Sequence, residues 1–162
     1  MLGQIESFMP GDNFCEYAER LEQYFVLNEV KNDKKVAFLL TFIGQDTYST
    51  LKKLVFPDDP VKKMFEELIT VLKNHFTPEV NEITERYKFF KENQKSGQPM
   101  SEYIVELKAR AQKCKFDTFL NQALRDRLVF GVRDNKLRAI LLKESKLSFE
   151  SACSTAINWE LA

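Results

Sequence analysis

The sequence predicts an all-α protein: two small helical lobes holding about nine helices. Three observations carry this. Apolar side chains recur at a 3.6-residue period along almost the whole chain. Five glycines and five prolines in 162 residues are too few for the many tight turns of a β-sandwich or barrel. Alternation of the strand kind is nowhere sustained, while cap signals stand in front of several of the periodic segments.

The first helix carries Phe14, Tyr17, Ala18, Leu21, Tyr24 and Phe25 on one face, with Asn13 as N-cap and Glu16 three residues on, a capping-box pattern. A second, from about Asp33, carries Val36, Leu39, Leu40 and Ile43, and Gly44 is placed as its left-handed stop. A short third helix runs roughly from Asp46 to Leu54. In the Pro57-Asp-Asp-Pro60 turn, Asp59 is the N-cap and Pro60 the first residue of a fourth helix, which carries Val61, Met64, Phe65, Leu68, Leu72 and Phe76. Thr77-Pro78 marks a boundary, because a residue before proline avoids helical geometry. It divides the chain into lobes at 1–78 and 79–162.

A fifth helix, from Glu79, puts Val80, Ile83, Tyr87 and Phe90 on its inward stripe. Polar residues from Asn93 to Gln98 interrupt the pattern. Gln98-Pro99 repeats the cap-then-proline start, and the sixth helix carries Met100, Tyr103, Ile104, Leu107, Ala111 and Cys114. Three more follow at about 118–130, stopped by Gly131, and at 135–143 and 149–160.

Formal net charge is zero, so no chain-wide excess announces a nucleic-acid binder. The halves differ mildly, with 9 Lys/Arg against 12 Asp/Glu in 1–78 and 15 against 12 in 79–162. Cys15, Cys114 and Cys153 are odd in number and far apart, which predicts buried reduced thiols rather than disulfides. The absence of a signal-peptide pattern, and of any apolar run near 18 residues, predicts a soluble intracellular chain with no membrane partner.

Candidate chemistry is sparse. Ser49-Thr-Leu-Lys52 matches the S-x-x-K pattern of penicillin-recognising enzymes but lacks its partner motifs. His75 is the only histidine, Leu72 stands where a Glu-x-x-His pair needs its glutamate, and no zinc-ligand spacing exists. No glycine-rich phosphate loop is present. These readings predict no enzyme activity, no metal and no cofactor. Pro57-x-x-Pro60 reads as a helix start rather than an SH3 ligand. The Lys pairs at 34–35, 52–53 and 62–63 read as solvated faces. In Arg86-Tyr-Lys-Phe-Phe-Lys91 the aromatics interleave with basic residues, but Tyr87 and Phe90 are assigned to the core stripe, leaving only Phe89 over.

The stretch from Gln94 to Leu107 is the most informative. Gln94, Gly97 and Gln98 fold a polar turn back onto the start of the sixth helix. Glu102 lies in its first turn, where unpaired amides and the dipole favour an anion, and Tyr103 and Leu107, one turn apart, point inward. From physics alone an ordinary capped helix start accounts for all of this. The same residues, however, resemble the major homology region of capsid proteins from retroviruses and gypsy-type long-terminal-repeat retrotransposons. The resemblance extends over nearly the whole chain. It runs through Tyr17–Phe25 and Asn28, Lys34-Lys35, Leu39-Leu40, Ile43-Gly44, Tyr48 and Leu51, then Leu72, His75-Phe-Thr-Pro78 and Arg86–Phe89. After the homology region it continues through Cys114–Phe116, Leu124–Asp126, Leu128–Gly131, Asp134, Leu141-Leu142 and Leu147–Ala152. Each piece is short; their collinear order is the specific feature.

The resemblance implies a Gag capsid region: an N-terminal lobe, a hinge and a C-terminal lobe, with self-assembly into virus-like particles that enclose retrotransposon RNA in the cytoplasm. By analogy with retroviral capsids it implies a two-fold contact on the helix at 118–130, through Phe119, Ala123, Leu124 and Arg127. The alternative it leaves open is a domesticated, Gag-derived host protein of the Arc kind, an oligomerising adaptor that binds peptides through its N-lobe. A SCAN-type dimerisation module fits only the C-terminal half. RNA contact is expected to be weak and purely electrostatic, since no zinc knuckle appears by Ala162. Two departures matter. Many retroviral homology regions have glutamate where Gln98 stands and a basic residue where Glu106 stands. A neutral hydrogen-bond network is therefore expected here, with Glu106 solvated and unpaired.

Overall fold

A computed structural model describes residues 1–77 and 79–162. The chain is all-helical: nine α-helices and no β-strand among the described residues. The Thr77-Pro78 boundary falls partly on Pro78, which lies outside the described residues. The chain divides into two compact units, Met1–Glu79 and Val80–Ala162.

The first unit packs α1 (Phe14–Leu27), α2 (Asn32–Phe42), α3 (Gln45–Val55) and α4 (Phe65–Phe76) around a core of mixed aromatic and aliphatic side chains. The Asn13 side chain accepts from the Cys15 and Glu16 amides, satisfying two of the donors every helix start leaves open. All six apolar residues expected on the inner face of α1 are buried. The segment ahead of α1 has no helical period, yet Phe8 is buried in this core. Its ring lies edge-on to Phe14 at 5.2 Å and to Phe76 at 4.8 Å. Lys35 is no solvated charge: it pairs with Glu22 at 3.1 Å and lies over the rings of Phe25 and Phe65.

Two local expectations are corrected here. Gly44 has φ +90° and ψ 159°, outside the left-handed helical region, so it turns the chain from α2 into α3 rather than closing α2 with a left-handed cap. A Cβ there would also meet the Ser7 side chain at 3.1 Å. The fourth helix does not start at Pro60. Asp59 does cap, accepting from the Val61 amide, but it opens only a single 3₁₀ turn, Pro60–Lys62. Lys63 and Met64 are extended before α4 opens at Phe65, and Val61 and Met64 are left exposed.

The second unit contains α5 (Glu82–Lys91), α6 (Met100–Ala111), α7 (Leu120–Gly131), α8 (Asn135–Lys143) and α9 (Phe149–Leu161). A 3₁₀ turn, Asp117–Phe119, precedes α7. Helix α7 is the central one, packed against α6, α8 and α9. Asp134 caps α8, and Ser148 with Ser151 forms a reciprocal capping box on α9. On α5 the period holds but the phase does not. Phe89, the residue left over from the expected stripe, is fully buried, whereas Val80, Ile83, Tyr87 and Phe90 stand exposed. Arg86 explains the choice of face. It donates to the backbone carbonyls of Cys114 and Lys115 and lies over the Phe116 ring, holding its side of the helix inward together with Phe89.

Candidate functional site

The candidate site is the turn between α5 and α6 together with the first two turns of α6, all within the second unit. Lys95 to Gln98 close a turn, with the Gln98 amide donating to the Lys95 carbonyl at 3.1 Å. Gly97 sits at φ +74° with open space around it. The requirement for glycine is therefore conformational and not steric, because a β-branched residue resists that angle.

Gln94 is the hub. Its amide donates to the Gly131 carbonyl at 2.9 Å, its side-chain Nε2 donates to the Gln98 carbonyl at 2.9 Å, and its Oε1 accepts from the Arg133 amide at 3.1 Å. One neutral side chain thus ties the turn to itself and to the end of α7. Gln98 continues the network: Oε1 accepts from the Lys95 amide at 2.9 Å, and Nε2 donates to Glu106 Oε2 at 2.8 Å.

Glu106 overturns the expectation of a neutral network and a solvated carboxylate. Lys95 Nζ lies 3.0 Å from its Oε1, Arg110 approaches to 4.0 Å, and its side chain is only a quarter exposed. Glu92, nearly buried at the end of α5, adds a second carboxylate between Lys95, at 3.8 Å, and Arg110. Arg110 Nε is buried beside Glu92 without a well-directed hydrogen bond, so their attraction is ionic. The positive charge arrives from Lys95 and from Arg110, one turn along α6. The donor from Gln98, then that from Lys95, hold the Glu106 carboxyl below its usual range.

A carboxyl held lower in the fold than in the unfolded chain contributes stability in full above the unfolded value, and loses it as pH falls through the folded one. Glu106→Gln is therefore expected to cost about 1 kcal/mol near neutrality and to flatten the acid limb of the stability curve below about pH 4.3. Thermal melts of the two proteins from neutral to acid pH check this, and parallel curves would refute it.

Tyr103 is fully buried, and its hydroxyl lies 3.2 Å from both the Glu92 and Arg127 carbonyls, to which it donates. Burial first of all pushes its pKa up to about 12, against the opposing pull of the Arg127 charge, so it remains a donor. Leu107 is fully buried one turn further on. Glu102 lies exposed in the first turn of α6. The anion that meets this helix start is another one: the Glu160 carboxylate, from the end of α9, accepts from the Met100 amide at 3.1 Å. The N-cap position belongs to Pro99, not Gln98. A partner sixty residues away leaves no local sequence signal.

The residues assigned to a two-fold contact fall into different environments. Ala123 and Leu124 are buried in the core of the second unit, because the face of α7 they occupy is covered by its neighbouring helices. Arg127 is spent inside the unit, donating to the Phe90 carbonyl and, at 2.9 Å, to Asn93 Oδ1. Only Phe119 presents a substantially exposed apolar surface.

The arrangement is a brace of hydrogen bonds and ion pairs. Burial pushes the thiols of Cys114 and Cys153 up, away from the thiolate form. Among the described residues no group of three or more His, Cys, Asp or Glu side chains is placed to hold a metal, and no helix is long and apolar enough to cross a membrane. No family model matches the chain, and no curated protein matches it either.

Proposed function

We propose that this chain is the capsid region of a gypsy-type Gag, a structural protein that self-assembles into particles around the element's RNA and turns over no substrate. The observation that supports this reading best is the connectedness of the residues on which the resemblance rests. Gln94, Gln98 and Glu106 form one network through Lys95 and the backbone, and Tyr103 and Leu107 root it in the core. A brace of that kind holds a unit in shape while leaving its outer faces for contacts with other copies. Two compact units in one chain suit shells built from repeated subunits in related but unequal environments.

The Arc-like adaptor reading is favoured by one observation. An open groove of about 670 Å³ lies in the first unit, between the N-terminal segment at Gly3–Ile5 and the α1 residues Glu19, Arg20, Gln23, Tyr24 and Leu27. A groove of mixed polar and apolar lining is the shape an extended peptide needs.

Electron microscopy of the purified chain, with sedimentation velocity across salt and protein concentration, separates the outcomes. Capsid function is expected to give closed particles or concentration-dependent oligomers. A chain that stays monomeric under every condition overturns it.

A further inference from the structure

The segment ahead of α1 lies on the first unit as a strap with two fastenings. At one end the Asn28 side chain, at the close of α1, grips the Leu2 backbone on both sides. The Leu2 amide donates to Asn28 Oδ1 at 2.6 Å, and Asn28 Nδ2 donates to the Leu2 carbonyl at 3.0 Å. At the other end Phe8 is buried against the rings of Phe14, Tyr17 and Phe76, the Tyr17 centroid lying at 5.6 Å. The Phe8 carbonyl accepts from the Thr47 hydroxyl at 3.4 Å. Between the two fastenings, no backbone group from Gly3 to Ser7 is hydrogen-bonded among the described residues, and of these five only Ile5 is half-buried. The open groove between Gly3–Ile5 and α1 leaves the middle of the strap without close support.

The strap has no slack. Helix α1, with 14 residues, is about 21 Å long, and a chain from Leu2 to Phe8 reaches about 20–22 Å only when fully extended. Loosening either fastening therefore leaves nothing to hold the middle. Beyond Phe8 stands a turn fit to act as a hinge. The Asp12 amide donates to the Met9 carbonyl at 2.9 Å, and Gly11 sits at φ +105° with open space around it. One group beneath the strap works against closure. The Tyr17 hydroxyl is buried with no hydrogen-bond partner among the described residues, and burial, against the pull of the Arg20 charge, pushes its pKa up to about 12. Lifting Phe8 from the Tyr17 ring lets water reach that hydroxyl and removes the penalty of an unpaired buried donor.

We infer that residues 2–8 are a detachable lid, which opens as one piece while α1–α4 stay folded and which in the closed form fills its own binding seat. The seat takes one kind of occupant, an extended chain segment. Asn28 grips its backbone, and an aromatic side chain six residues further on enters among Phe14, Tyr17 and Phe76. The strap is the chain's own segment of that chemistry, so the closed contact is autoinhibitory. Segments with unbonded backbone and few buried contacts are the ones that open at low free energy. The inference rests on neither reading of function, since strap and seat belong to one chain.

The test uses the full chain and three variants, Leu2→Pro, Asn28→Ala and Tyr17→Phe. Cleavage after Glu6 by a glutamate-specific protease, read by mass, reports the open form. Leu2→Pro removes the amide that Asn28 holds and leaves the seat intact. It is expected to raise the cleavage rate about tenfold with the melting temperature unchanged, and Asn28→Ala to raise it similarly. Tyr17→Phe removes the unpaired hydroxyl and is expected to slow cleavage about threefold. A labelled peptide of residues 1–9 is expected to bind Leu2→Pro at least about tenfold more tightly than the wild type, whose own strap competes. Asn28→Ala, open but without its grip, is expected to bind the peptide less tightly than Leu2→Pro. Equal cleavage in all four proteins would show that the strap does not open as a unit. Faster cleavage of Leu2→Pro accompanied by a lower melting temperature would make the strap part of the fold. A Leu2→Pro chain that opens but binds the peptide no better than the wild type would leave the seat without a ligand. Each of these three results overturns the inference.

Discussion

Leu107→Ala is expected to cost the second unit roughly 2–5 kcal/mol, the range for truncating a fully buried leucine, because the site refills only in part. Leu107 has no exposed surface and lies among the largest buried side chains of the chain, in the cluster that includes Tyr103, Leu128 and Phe89. A unit this small stands near the bottom of the usual stability range of roughly 5–15 kcal/mol. A loss of that size shifts its melting transition by roughly 10 °C or more and leaves part of it unfolded at ordinary temperature. Val105, on the same helix and 64% exposed, supplies the control. Val105→Ala is expected to stay within about 0.5 kcal/mol. Chemical denaturation of the two variants checks the contrast. Equal, small losses would mean that α6 does not pack as described.

How far the sequence discloses this structure depends on the range of the interaction that decides each feature. Where the deciding contact is local, the reading holds. Asn13 and Asp59 cap the turns that come after them because the partner amides lie within three residues. The inner faces of α1 and α6 are the ones their period marks. On α5 the same logic fails by phase. The one apolar stripe of this ten-residue helix is left outside, and a side with a single apolar residue, Phe89, is turned inward because Arg86 beside it bonds to carbonyls 28 and 29 residues away.

The site obeys the same rule. Gln94, Gly97 and Gln98 are legible as a turn, and Gly97 has the positive φ such a turn calls for. The charge network is not legible, because it joins Glu92, Lys95, Glu106 and Arg110 across the end of one helix, a turn and two turns of another. The lysine that pairs with Glu106 stands eleven residues away in the chain, outside the helix that carries it. Ala123 and Leu124, buried in the second unit, show a complementary difficulty. On an amphipathic helix, sequence marks the apolar face without saying whether the chain's own core or another molecule covers it.

Gly131→Ala is expected to be among the most damaging single-methyl additions in the chain, and for a reason other than the one its position suggests. A glycine after an apolar helical run reads as a left-handed stop, yet Gly131 is the last residue of α7 and is not among the glycines with positive φ. What requires glycine is Tyr103. A methyl on Gly131 would stand far inside contact distance of the Tyr103 hydroxyl, and 3.0 Å from both Tyr103 Cζ and the Glu92 carbonyl oxygen. Tyr103 is fully buried, so its ring has nowhere to swing, and displacing it breaks the bonds to the Glu92 and Arg127 carbonyls. Overpacking at about 1–3 kcal/mol and the loss of buried hydrogen bonds at about 1–3 kcal/mol together place the cost at roughly 2–6 kcal/mol. Any gain in helix propensity, up to about 1 kcal/mol, does not offset it. The cause is separable by a double-mutant cycle. Tyr103→Phe alone removes the hydroxyl and costs about 1–2 kcal/mol, but in the Gly131→Ala background it also removes the atom that clashes. The double variant is therefore expected to be more stable than the sum of the two single losses by at least about 1 kcal/mol. Additive losses would show that Gly131 is required for its backbone and not for the approach of Tyr103.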